Sequence, residues 1–301
     1  MNPRRQQGGS GIYRGNRLLP FWLSIAILSI FQGALVAIPG SIRVPALGPL
    51  RGRRWALVPP LSIIVFVFGA RAAENASAQG LTYLALVAVP LLAALALAWL
   101  AHGARPRWAL LVPALFALAW ADRGALPGQT AALLLSGLSC VALGVLLAAV
   151  TPPRWLAAGI IAMALADTAL VASELLQRPN DALNAARPAA GLPQLQSAVF
   201  GSAVMGYGDI FIAATLGGLL ALHFGRATQL RAAALTAVLA LASDLLFFAL
   251  DELPATVPVA LALIVVLLRR RRRSARRAEA ARPAQPELLA AARSPGAPLA
   301  P

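Results

Sequence analysis

Residues 130–177 read TAALLLSGLSCVALGVLLAAVTPPRWLAAGIIAMALADTALVASELLQ, two apolar runs parted only by Thr151-Pro152-Pro153-Arg154. Each run approaches or exceeds the roughly 20 residues that a helix needs to cross a hydrocarbon core about 30 Å thick. The prolines and the arginine mark a turn between them. Working outward, runs of the same kind recur from Leu18 almost to Arg269. Breaking them at charged or Pro/Gly-rich turns predicts nine spans, at 18–38, 55–70, 81–101, 107–122, 130–150, 154–177, 197–223, 230–250 and 254–269. With 59% hydrophobic and 12% charged residues over 301 positions, and a mean hydropathy of +0.73, the chain has more apolar surface than a water-soluble domain of this length buries. The expected fold is therefore all-α and polytopic. A transmembrane domain over 18–269 carries a basic N-terminal tail, 1–17, and a basic, Ala/Pro-rich C-terminal tail, 270–301, with too little large apolar content to order. The chain is expected to be an integral, multi-pass membrane protein, with the lipid bilayer as its first partner.

Interfacial residues support this division. Trp22, Trp55, Trp99, Trp108, Trp120 and Trp155 all fall near an expected span end, where an amphipathic indole prefers the headgroup region. The net charge of +15 comes from arginine alone, and much of it lies at span ends and in the C-terminal tail. It reads as a topology signal rather than a nucleic-acid surface. With nine spans, placing the N-terminus outside puts twice as many arginines inside as outside and leaves the C-terminal tail cytoplasmic. The first apolar segment is long and lacks a small-x-small cleavage site, so a retained helix is expected. Cys140 is the only cysteine, which rules out an intrachain disulfide and gives it the role of a small core residue. Between the sixth and seventh spans, 178–196 is the longest polar interruption and is expected to be a flexible loop.

An ionisable residue in mid-membrane costs about 2.5–3.5 kcal/mol on insertion scales, so each needs a partner or a purpose. Asp167, Glu174, Asp209 and Asp244 are the candidates. Asp167 precedes the polar loop and Asp209 follows it, by about ten and twelve residues, so helical rise places both at depths of roughly 15–18 Å from the same side. Two carboxyls at matched depth on consecutive antiparallel helices can face one another. Close together they cannot both ionise; one acts as base toward a water and the other, protonated, polarises a carbonyl. The same acids could instead hydrogen-bond between helices or line a transport path.

The second acid sits in Met205-Gly206-Tyr207-Gly208-Asp209-Ile210. Two glycines before the acid loosen the helix and let backbone come close. This Gly-x-Gly-Asp tetrad, with an acid one helix earlier and Leu253-Pro254-Ala255-Thr256 opening the last span, resembles the presenilin and signal peptide peptidase family of intramembrane aspartyl proteases, as a divergent member of prokaryotic type. The resemblance covers most of the chain. It implies a presenilin-like nine-helix fold and hydrolysis of peptide bonds within transmembrane segments of other membrane proteins, with no cofactor and no metal. By it, Asp167 and Asp209 form the catalytic pair, Gly206, Tyr207 and Gly208 shape the site, and Pro254, Ala255 and Thr256 support it and seat the substrate in extended form. An N-out topology resembles that of signal peptide peptidase.

The chain departs from the family pattern at Ala166, where a tyrosine usually precedes the first aspartate, and at Thr256, where leucine completes a Pro-Ala-Leu element. Two alternatives stand beside this reading: a non-enzymatic membrane protein, either a proton- or ion-coupled transporter whose mid-membrane acids carry the ions or, given these departures, an inactive presenilin-like relative; and, third, a protease like the prepilin peptidases. The prepilin peptidases share the tetrad but usually follow it with lysine, where this chain has Phe211. Asp244 is the rival to Asp167 as partner of Asp209. Asp251 and Glu252 read as solvated. His102 and His223 lie at span ends and, with one cysteine, give no metal-site spacing.

Overall fold

The computed structural model describes residues 19–42, 44–72, 74–173, 175, 186, 188, 191–248 and 253–281, the side chains of 69–77 and 277–281 excepted. The N-terminal tail, Glu174, Asp251, Glu252, most of the expected loop and everything after Ala281 lie outside these residues. Among them are nine α-helices: α1 (Phe21–Ala37), α2 (Val58–Ala72), α3 (Glu74–Leu95), α4 (Leu111–Ala121), α5 (Leu126–Val150), α6 (Pro153–Ala172), α7 (Tyr207–His223), α8 (Arg226–Asp244) and α9 (Val257–Ala281). Four helical stretches are long and apolar enough to cross a membrane: Ala78–Leu100, Leu126–Val150, Pro153–Ala172 and Arg226–Phe248. Phe21–Ala37, Pro106–Ala121 and Tyr207–His223 are apolar but shorter.

Residues up to Ala262 form one compact unit, and Leu263 onward a second. In the first, α5 and α7 are the buried centre. Every residue of α7 from Ile210 to Ala221 is buried, and so is most of α5. They cross almost backbone to backbone. A Cβ at Gly144 would lie 2.6 Å from the Ala214 carbonyl carbon, and one at Gly218 would lie 2.8 Å from the Gly144 oxygen. Helices in lipid gain nothing from hiding apolar surface from each other, so close approach through small residues supplies the contact energy. Around this pair α1 packs on α7 and α8, α3 and α4 on α5, and α6 on α2 and α7.

Three expectations need correction. The seventh span, expected over 197–223, is helical only from Tyr207. Before it lies an antiparallel hairpin, β1 (Ser197–Phe200) and β2 (Ala203–Gly206), with Ser197 paired to Gly206 and Phe200 to Ala203. Val199, Phe200 and Val204 favour extended backbone, and Gly201 takes the left-handed φ of +60° that a two-residue turn demands. Open backbone groups are costly in hydrocarbon, and side chains attend to this hairpin. Gln129 Oε1 accepts from the Gly201 N–H at 2.7 Å, and Ser24 Oγ from the Ser202 N–H at 3.1 Å. Secondly, the sixth span, expected to 177, leaves helical geometry after Ala172, where Ser173 turns its hydroxyl back onto the Ala169 carbonyl at 2.8 Å.

Thirdly, the expected disordered tail from 270 is helical as far as Ala281. Arginine and alanine are strong helix formers, and a helix already nucleated by 257–268 gains a hydrogen bond for each residue added. Residues 269–276 of this extension are exposed.

Candidate functional site

Asp167 lies on α6 and is 5% exposed. Its Oδ2 accepts the Thr256 hydroxyl at 2.6 Å, and the Thr256 backbone N–H also donates to this carboxyl. Pro254, Ala255 and Thr256 form the turn that leads into α9, with the Val257 N–H donating to the Pro254 carbonyl at 3.1 Å. Thr256 thus offers Asp167 both of its donors from the start of a helix, where backbone N–H groups have no partner within the helix.

Asp209 is the third residue of α7 and half-buried. Its Oδ2 accepts the Gly206 N–H at 3.1 Å, which caps the helix that carries it. The two carboxyls are close enough that the charge of Asp167 acts on Asp209. Packing between their helices agrees, since a Cβ on Gly208 would lie 3.5 Å from the side-chain methyl of Met163, one turn before Asp167 on the same face of α6.

The route to this juxtaposition differs from the expected one. Counting helical rise from the end of the loop gave Asp209 its depth, yet the ten residues before α7 double back on themselves, so that Ser197 lies beside Gly206. The chain is already buried before the hairpin begins. Leu195 and Gln196 are buried, and the Ser136 hydroxyl of α5 donates to the Leu195 carbonyl at 3.1 Å.

The other expected site residues divide. Gly206 is tight against its own acid, since a Cβ there would be 3.0 Å from Asp209 Oδ2, whereas a Cβ on Gly208 would make ordinary contact. Tyr207 is anchored on α5, its hydroxyl sharing a hydrogen bond with Ser139 Oγ at 2.7 Å. Ala255 turns its carbonyl to Gln32 on α1, at 2.7 Å. Asp244, the rival partner, accepts the Ser29 hydroxyl at 2.8 Å. Among the described residues no group of three His, Cys, Asp or Glu side chains could hold a metal.

Sequence reasoning passed over Gln32, Ser29 and Ser139. Each is a polar residue inside an apolar helix, and that isolation was the available signal. No protein-family model, curated protein or solved structure matches the chain.

Proposed function

We propose that this chain is an intramembrane aspartyl protease of presenilin-like, nine-span architecture, with Asp167 and Asp209 as its catalytic pair. The observation that carries the reading is that two buried or half-buried acids from α6 and α7 lie within electrostatic reach of each other, one of them gripped by the turn at 254–256. Two carboxyls so placed share a single proton, the arrangement that activates water in aspartyl proteolysis. The two donors of Thr256 make Asp167 the seat of the pair's negative charge, and thus the general base. Asp209 then carries the proton and polarises the scissile carbonyl. Water adds to that carbonyl as its proton passes to Asp167 and the Asp209 proton passes to the carbonyl oxygen; the tetrahedral intermediate then collapses as Asp167 gives its proton to the leaving amine and a hydroxyl proton returns to Asp209. No cofactor enters these steps.

A transmembrane substrate hides its peptide bonds in its own helix. It must unwind to be cut, and its freed N–H and C=O groups then need partners. The β1–β2 hairpin ends three residues before Asp209 and has the extended backbone that can pair with such a stretch. Substrates are transmembrane segments of other membrane proteins. With its N-terminus outside and its C-terminal tail cytoplasmic, the protease would favour segments whose own N-termini are cytoplasmic, as the likeness to signal peptide peptidase implies.

The test is cleavage of a panel of transmembrane reporters by purified protein in liposomes. Wild type should cut at least one, while Asp167→Ala and Asp209→Ala cut none, a loss of at least about a thousandfold. Cleavage that survives either substitution would sink the assignment.

A further inference from the structure

Gln32 sits in the middle of α1, a helix that brings no acid to the site. It is 1% exposed. Its Nε2 donates to the Ala255 carbonyl at 2.7 Å, and its Oε1 is buried with no hydrogen-bond partner among the described residues. The amide cannot be turned round, because a carbonyl accepts and only the NH2 end can face it. A buried amide oxygen left unpaired is destabilising, and a leucine at this place in an apolar helix would avoid it. One half of the side chain is unsatisfied while the other holds Ala255.

What that half holds is one face of a peptide group whose other face is already in the site. The carbonyl of Ala255 and the N–H of Thr256 belong to the same planar unit and point in opposite directions. Gln32 grips the carbonyl; Asp167 accepts the N–H. The sequence of donors therefore runs from the Gln32 amide through the 255–256 peptide to the Asp167 carboxyl, and each bond polarises the next. A fixed peptide plane also fixes the Thr256 side chain, whose hydroxyl makes the 2.6 Å contact with the same carboxyl.

We propose that Gln32 is a positioning residue of the carboxyl pair, which orients and polarises the 255–256 peptide so that Thr256 presents both its donors to Asp167. The proposal rests on the proteolytic reading, and it makes α1 part of a site otherwise built from α6, α7 and the start of α9. Gln32 touches neither water nor substrate in this scheme. It acts through Thr256.

The experiment compares wild type with Gln32→Met, which keeps the length and loses the donor, and Gln32→Glu, which as a neutral acid restores a donor. Three readouts are taken on protein in liposomes: thermal stability, kcat and KM on a transmembrane reporter, and the carboxyl stretch of Asp167 in infrared difference spectra, identified as the band missing from Asp167→Asn. Gln32→Met is expected to lower kcat about tenfold, the loss of one hydrogen bond to a polarised group, with KM unchanged and the Asp167 band displaced. Gln32→Glu should return both toward wild type. A Gln32→Met protein that melts earlier but keeps the wild-type kcat and an undisplaced band would overturn the proposal and leave Gln32 a structural tie. If the wild type cuts no reporter, the proteolytic reading fails, and the infrared comparison still decides whether Gln32 sets the state of Asp167.

Discussion

Among the described residues, two places hold an acid against a neighbouring helix, and they are built on different plans. At the α1–α8 contact, Asp244 meets the hydroxyl of Ser29 and stands by a single donor. At the α6–α7 contact, Asp167 lies near enough to a second acid, Asp209, to act on it electrostatically, and it draws two donors from a third element. The first plan is an interhelical tie of the kind that polar side chains make in membranes, worth about 0.6 kcal/mol on average. The second brings two acids into each other's electrostatic reach, an arrangement that a tie does not need. Proximity of an acid to another helix says little; duplication of the acid, with donors aimed at one member, says a good deal.

That contrast can be broken at either end. The largest effect is expected from Thr256→Val, which keeps the shape and removes the hydroxyl. A hydrogen bond to a charged group is worth about 1.5–3 kcal/mol, so kcat on a transmembrane reporter should fall roughly ten- to a hundredfold, and Thr256→Ser should recover most of it. Equal activity in the valine variant would mean that the 2.6 Å contact is incidental. A middle-sized effect should come from Ser29→Asp, which makes the simple tie into a second carboxyl pair without a Thr256 beside it. Thermal melting should show a loss of about 1–3 kcal/mol, the cost of leaving a buried polar group unsatisfied, and no new cleavage. Unchanged stability there would show that carboxyl pairs in this protein need no special support. The smallest effect belongs to Asp244→Asn: cleavage should match wild type, and a large loss would move Asp244 from the tie into the chemistry.

Much of this organisation was open to reading in the sequence, and the reasons are physical. Hydropathy and turn residues placed a helix in every expected segment, because the apolar runs are long and the breaks carry Pro, Gly or Arg. The two acids that approach each other were legible in Gly206 to Asp209 and in one acid a helix earlier. The hairpin was not, since Ser197 to Gly206 is apolar enough to read as the beginning of the helix that follows; Gly201-Ser202 between Val-Phe and Ala-Val was the missed turn signal. Thr256 counted against the site when compared with a family pattern, although in three dimensions it is the residue that holds Asp167. Gln32 was illegible for another reason. Its bond runs to a backbone carbonyl 223 residues away, and no local pattern encodes that.

The crossing of α5 and α7 bears on how the two halves of the pair can move. Gly144 and Gly218 leave backbone against backbone, with no side chains between them to change rotamer or slide. Such a joint acts as a fixed bearing. α7, buried from Ile210 to Ala221, holds Asp209 to the frame of the molecule. α6 is buried over only 39% of its apolar window, against 78% for α5, yet Asp167 on it is buried and held by the turn at 254–256. The gap between the two acids is thus set from both sides, by this bearing under Asp209 and by the clamp that the 254–256 turn closes on Asp167.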